Sequence, residues 1–211
     1  MQELAQILPQ LKQRYPQIKI ALVEGSMVKL TQALHEGKID LMFGYYNKED
    51  KEIDARVYKT ERLVLVIPEA LWTTLPLQTR QSLESQNSLN LKALEGCPFI
   101  RTSQKSWYDQ LIRDYCQQRQ IQLHTDIHTG SIETLVSLCF SGMGAIICPE
   151  SYLQLENVES LRSQFLHRFV FHEEALTMKC AIQTLKNRYL PFVVQELISL
   201  AKKTLTSSQT S

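Results

Sequence analysis

Three short stretches place hydroxyl side chains where a strand gives way to a helix: Gly25-Ser26, Thr102-Ser103-Gln104 and Thr129-Gly130-Ser131. A hydroxyl at such a junction accepts a hydrogen bond from the first helical turn, and the free N–H groups of that turn favour a negative charge. The chemistry these residues suit is the binding of a small anion, most simply a carboxylate. One charge-assisted hydrogen bond contributes roughly 1.5–3 kcal/mol, so about three or four would hold a small acid at micromolar affinity. The competing reading is that each serine only caps its helix. Convergence of several junctions favours a site.

Two tyrosines, Tyr45 and Tyr46, follow Gly44 at the end of an apolar run. They either stack on an aromatic ligand or pack within the fold, burying the ring and wetting the hydroxyl. Arg101 is either a partner for an acid or, as is more usual for an arginine on a strand, solvated or salt-bridged. Catalytic patterns are missing. His172-Glu173-Glu174 has no second histidine at ligand spacing and reads as a solvated loop. No G-x-S-x-G elbow or phosphate loop occurs. Gly142-Met143-Gly144 follows its helix, whereas a dinucleotide loop would precede one. The five cysteines form no C-x-x-C pair and lie mainly at apolar periodic positions. They read as buried, reduced thiols of a cytoplasmic protein. No enzyme, metal site or cofactor is expected.

The elements that must position these residues follow from periodicity. Ile132, Leu135, Val136, Cys139, Phe140 and Met143 form one helical stripe, capped by Ser131 and ended by Gly142 in the left-handed conformation. Glu133 adds a favourable charge to the first turn. Ala145 to Cys148 is apolar throughout, as in a strand covered on both faces. Ile121, Leu123, Thr125 and Ile127 alternate with polar residues as a preceding strand. This βαβ plan predicts a parallel sheet, with ligands bound beyond the carboxyl ends of its strands. The same plan occurs about a hundred residues earlier: a strand from Ile18 to Glu24, Gly25-Ser26, a helix from Met27 to Glu36, Gly37, and a strand from Ile39 to Phe43 ending at Gly44.

The chain opens on a helix with Leu4, Ile7, Leu8, Leu11 and Tyr15 on one face, ended by Pro16. Further elements are strands at 62–67, 99–101, 169–171 and 178–183, a weak helix at 79–86, a helix from Trp107 to Gln118, and a last helix beginning at Tyr189-Leu190-Pro191. The two halves are joined through 62–67 and back through 169–183. The expectation is an α/β protein of two lobes with a cleft between them, lined by Gly25, Ser26, Gly44, Tyr45 and Tyr46 from one lobe. The other lobe contributes Thr102, Ser103, Gln104, Thr129, Gly130 and Ser131.

Hydrophobic residues make up 44% and charged residues 21% of the 211, enough apolar material for a core. The net charge of +1 supplies no bulk attraction to nucleic acid or membrane. Lys202-Lys203 and the 48–51 loop are too short for a nucleic-acid patch. No spanning helix or signal peptide is legible.

Taken in order, Leu8-Pro9-Gln10-Leu11 to Tyr15-Pro16, Glu24-Gly25-Ser26, Glu36-Gly37-Lys38-Ile39-Asp40-Leu41 and Leu63-Val64-Leu65-Val66-Ile67-Pro68 resemble a known family. So do Gly142-Met143-Gly144-Ala145-Ile146 with Pro149, and Arg188-Tyr189-Leu190-Pro191. The family is the effector-binding domain of LysR-type transcriptional regulators, and the resemblance covers nearly the whole chain. It implies two Rossmann-like subdomains in the manner of type II periplasmic binding proteins, a small effector in the cleft, and a homodimer or tetramer. Ser26 and Ser103 match effector-binding positions, and Gly44-Tyr45 the strand end that faces them. The helices Met27 to Glu36 and Ile132 to Met143 are the implied dimer contacts. DNA would be bound only through an N-terminal winged helix-turn-helix that this sequence does not include. The family's strand before the first helix, normally central in the first sheet, is not included either. The expected division is 1–66 plus 171–203, then 67–170, with 204–211 a flexible tail. The effector is expected to be a small carboxylate or similar anion. The alternative with the same fold is the solute-binding protein of a transporter.

Overall fold

A computed structural model describes residues 2–46, 50–85, 90–103, 106–153 and 166–207. The chain packs as two compact units, Met1–Thr60 with Lys179–Ser211, and Glu61–Met178. The division falls at 60/61 and 178/179, where 66/67 and 170/171 were expected. Both boundaries lie inside long strands, β2 (Ile53–Pro68) and β7 (Thr177–Leu185), so each of these strands serves both units. Composition does not change at a boundary placed within a regular strand.

In the first unit, α1 (Gln2–Arg14) buries Ile7 and Leu11 in one core with Tyr58 of β2 and with Cys180 and Ile182 of β7. Ile198, Ala201 and Leu205 of α7 (Phe192–Ser207) complete it. The Tyr15 hydroxyl donates to Glu196 Oε2 at 3.1 Å, tying the end of α1 to α7. The expected flexible tail is corrected over 204–207, which continue α7. Leu205 extends its apolar stripe into the core and is 7% exposed, so the helix gains by running on. Residues 208–211 lie outside the described residues.

The helix α2 (Met27–His35) ends in a Schellman motif. Gly37 takes φ +71°, its N–H donates to Leu34 O at 3.1 Å, and that of Lys38 to Ala33 O at 2.9 Å. The Arg188 guanidinium adds donors to Leu34 O and Gly37 O. From there the chain enters β1 (Met42–Tyr45), which pairs antiparallel with β7, Met42 opposite Gln183 and Tyr45 opposite Cys180. β7 in turn lies between β1 and β2. The expected strand end at Gly44 is corrected: the ladder runs through Gly44 to Tyr45.

The expected strand from Ile18 to Glu24 is also corrected. These residues enter no ladder, and Ile20, Leu22 and Val23 are 42%, 55% and 57% exposed. Alternating β-branched and apolar residues fit a pleated, half-buried surface, and no neighbouring strand among the described residues supplies one.

The second unit holds a mixed sheet. β3 (Pro98–Thr102) pairs parallel with β4 (His124–Thr129), Thr102 opposite Thr129. On its other side β3 meets the start of β5 (Ile146–Pro149) in a parallel bridge between Phe99 and Ala145. Ala145 N donates to Pro98 O at 2.8 Å and Ile100 N to Ala145 O at 2.9 Å. Gly144 permits this approach, since a Cβ there would sit 2.9 Å from Pro98 O. β5 and β6 (Leu166–Val170) flank the second half of β2, both antiparallel to it. Leu63 to Pro68 are consequently all buried, the reason for their unbroken apolar run.

The helices α3 (Glu69–Trp72) and α4 (Leu77–Ser85) follow β2, and α5 (Trp107–Gln118) follows β3. α6 (Ile132–Phe140) packs Leu135, Val136 and Cys139 against Val64, Val66, Ile100, Ile146 and Cys148. Gly142, at φ +84°, closes it in a second Schellman motif, with Gly142 N to Cys139 O at 2.9 Å and Met143 N to Leu138 O at 3.1 Å. Met143 therefore falls beyond the helix and is 53% exposed, correcting its place on the buried stripe. The expected parallel βαβ unit is present as β4, α6 and β5, while β2 and β6 make the sheet mixed. No helix among the described residues is long and apolar enough to cross a membrane.

Candidate functional site

The strand-to-helix junctions of the second unit come together because β3 and β4 are adjacent and parallel. Ser103 N donates to Thr129 O at 2.8 Å, locking the two strand ends side by side. Ser106 N donates back to Ser103 O at 2.9 Å, which tightens the turn before α5. Ser103 and Gly130 are exposed, and a Cβ on Gly130 would meet nothing within 4 Å. Thr129 Oγ1 accepts Ser131 N–H at 3.3 Å and donates to Ser131 O at 3.4 Å, shaping the entry to α6. Ser131 is the N-cap, its Oγ accepting Thr134 N–H at 3.2 Å. Its own proton goes to Glu133 Oε2 at 2.6 Å. Exposed Ser103 and Gly130, a short turn and a helix start thus share one edge of the unit. Gln104 lies outside the described residues.

Thr102 sits lower. Its side chain is buried, as is that of Tyr108 on the first turn of α5, and neither hydroxyl meets hydrogen-bond geometry with a partner among the described residues. Burial lifts the Tyr108 phenol well above its ordinary value, opposed by the nearby Thr102 hydroxyl. Arg101 is committed elsewhere. It donates to Asp109 Oδ1 at 2.9 Å, and Arg113 clasps the other oxygen of the same carboxylate, whose side chain is 2% exposed. The salt-bridged reading of Arg101 is the one the geometry carries. Sequence spacing could reveal the Asp109–Arg113 pair at i,i+4. It could not reveal the Arg101–Asp109 pair, which depends on α5 folding back over β3.

In the first unit, Ser26 caps α2, accepting Lys29 N–H at 3.5 Å, the outer limit of such a bond. Gly25 and Ser26 are exposed. Gly44 gives room to Met27, whose Sδ would lie 2.8 Å from an added Cβ. Tyr45 packs against the core of this unit, and its carbonyl accepts Gln183 Nε2–H at 3.2 Å. Tyr46 is half-buried and its N–H donates to Lys179 O at 2.7 Å.

Among the described residues no group of three or more histidine, cysteine or acidic side chains could hold a metal ion. None of the five cysteines is in a disulfide, and all five are buried. An open hollow of about 530 Å³ lined by Lys92, Glu95, Gly96, Gln120, Gln122 and His124 lies toward the opposite, N-terminal end of β3 and β4. It mixes charges of both signs and lies away from the helix starts.

The family model of the LysR substrate binding domain matches residues 2–206. A curated relative, the uncharacterized HTH-type transcriptional regulator YcgK of Bacillus subtilis (strain 168), is 22% identical over 94% of this chain and 62% of its own length. The probable cat1 operon transcriptional activator of Acinetobacter lwoffii is 25% identical over 72% of this chain and 48% of its own. The chain thus spans about half to three fifths of the length of these relatives. Among solved structures, the effector binding domain of QuiR in complex with shikimate superposes with a TM-score of 0.74 at 17% identity. That match covers 97% of this chain and 90% of that one. The Synechocystis PCC6803 CcmR regulatory domain in complex with 2-PG gives 0.76 at 15% identity, covering 96% and 93%. At these identities the structural matches establish the fold, the α/β fold of LysR effector-binding domains, which is of the type II periplasmic-binding-protein kind. The family model spans almost every residue, and the chain belongs to the LysR substrate-binding domain family, a family of regulatory and not enzymatic domains.

Proposed function

We propose that this domain senses a small carboxylate or phosphate-bearing anion within a cytoplasmic transcription regulator that works as a homodimer or tetramer. DNA would be reached through a winged helix-turn-helix outside this sequence. The observation that carries the reading is the edge where Ser103, Thr129, Gly130 and Ser131 converge at the C-terminal ends of two parallel strands and the start of α6. The exposed Ser103 and the positive start of α6 favour an anion in that arrangement. The two solved relatives named above are in complex with shikimate and 2-phosphoglycolate, both acids, which supports the same class here. The reading also gives Thr102, Gln104, Ser26, Gly44, Tyr45 and Tyr46 a share in effector binding, Thr102 from beneath the strand end. Binding would act on DNA only through a difference in affinity between two arrangements of the regulator.

Isothermal calorimetry with shikimate and 2-phosphoglycolate tests the proposal. Micromolar binding of at least one acid, weakened about tenfold or more in Ser103→Ala and Ser131→Ala, is expected from the loss of a charge-assisted bond. Absence of heat with either acid, or unchanged affinity in both variants, would refute it.

A further inference from the structure

We infer that Thr102 and Tyr108 form a buried site for one uncharged hydroxyl oxygen, supplied by water or by an alcohol group of a bound ligand. Thr102 is the last residue of β3 and Tyr108 the second of α5. The two residues are 3% and 4% exposed, and both hydroxyl oxygens are shut off from solvent. Neither has a hydrogen-bond partner among the described residues. Both side chains line one hollow of about 10 Å³, walled by Ile100, Ile112, Leu123 and Ile147. That is the lower limit of space for a single water. The remaining polar lining is Arg101 and Asp109, which already hold each other.

Proton counting calls for a third oxygen. Each hydroxyl carries one proton and can also accept one. A small side-chain rotation that joined the two would use one proton and leave the other without an acceptor. Buried polar groups are seldom left in that state, because the hydration they lose is not returned. An oxygen that both donates and accepts, set between them, satisfies both at once. A carboxylate or phosphate is too large for the hollow, and a full charge would be stripped of water there. The site lies one residue below Ser103, whose N–H ties the end of β3 to Thr129 O. An effector at that edge that carries a hydroxyl can set it in place of the water, which selects hydroxy acids over acids of the same skeleton without hydroxyls. This ligand source rests on the effector reading proposed above; the water source does not.

Crystallography of the native protein, free and soaked with shikimate, tests the site directly. An ordered oxygen within about 3.2 Å of both hydroxyls is expected in the free crystal, and that oxygen or a shikimate hydroxyl in the soaked one. Thr102 and Tyr108 bonded only to protein groups, with no third oxygen in either crystal, would overturn the inference. Thr102→Val and Tyr108→Phe keep the side-chain shapes and give the solution readout. With water as the source, each should lower the urea midpoint by about 0.5 M, and the double variant by less than the sum. Calorimetry reads the other source. With an alcohol group in the site, Tyr108→Phe weakens shikimate about tenfold and leaves cyclohex-1-ene-1-carboxylate, the same ring and carboxylate without hydroxyls, unchanged. Unchanged or raised midpoints in both single variants overturn the water source, and unchanged shikimate affinity as well overturns the inference. Failure of the native protein to bind either acid overturns the ligand source with the effector reading, while the free crystal still decides for or against the water.

Discussion

Gly144→Ala is the sharpest test of how the second unit is assembled. The glycine has no left-handed φ, so alanine meets no backbone penalty there. The cost is steric: its Cβ would lie 2.9 Å from Pro98 O and 3.1 Å from Ile100 Cγ1. The nearer atom is backbone, fixed by the bond from Ala145 N at 2.8 Å. Restoring ordinary contact requires β3 and β5 to separate by about 0.5 Å, which stretches that bond and the one from Ile100 N to Ala145 O. Overpacking of this kind costs about 1–3 kcal/mol. Partial loss of two hydrogen bonds adds about 1 kcal/mol. Restriction of the unfolded chain returns about 0.4–1 kcal/mol. The net is a destabilisation of about 2 kcal/mol. Urea unfolding followed by far-ultraviolet circular dichroism would show it as a midpoint lowered by about 1 M for a slope of about 2 kcal/mol/M. Gly130→Ala is the matched control, because its Cβ meets nothing within 4 Å and its φ is not left-handed. A Gly144→Ala midpoint equal to that of Gly130→Ala would refute the account of the β3–β5 junction.

Ser131→Ala removes the cap on Thr134 N and should lower stability by about 1 kcal/mol in the same urea assay. Leu135→Ala, in the core beneath α6 and fully buried, should cost about 2–5 kcal/mol and broaden or split the transition if the second unit unfolds first. Burial pushes the thiol of Cys97 up to about 11 and that of Cys139 up to about 12. Unfolded thiols ionise first, near pH 8.5, so this contribution to stability is complete below that pH and is lost as the pH rises toward 11–12. The urea midpoint should fall between pH 8 and about 10, and a flat profile would contradict it. In native protein a disulfide exchange reagent should react slowly, with all five thiols becoming reactive on unfolding.

Local chemistry was legible where local geometry decides the outcome. Ser26 and Ser131 as N-caps, and Gly37 and Gly142 as left-handed ends of α2 and α6, follow from residue type and position. So does α5, whose limits match the Trp107 to Gln118 expectation. What depended on distant partners was less legible. Ile18, Ile20 and Leu22 carry a strand pattern but enter no ladder among the described residues. The first part of β2, from Ile53 to Glu61, is too polar to advertise itself and is ordered by its place in the sheet beside β7. In the site, the pairing of Thr102 with Thr129 brings two junctions together, and nothing in their spacing reports that. Glu133 was legible as a favourable charge at a helix start, whereas its capture of the Ser131 proton is a matter of side-chain geometry.

The first unit is discontinuous in sequence, since α1 packs on α7 and β1 on β7. During synthesis its first 60 residues leave the ribosome long before Lys179–Ser211 exist to receive them, while 61–178 can already collapse. Nascent chains therefore pass through a stage in which a finished second unit trails an unfinished first one, with Ile7 and Leu11 bare alongside Ile20 and Leu22. Chaperone demand during production should centre on that interval, and it should end when the last helix emerges.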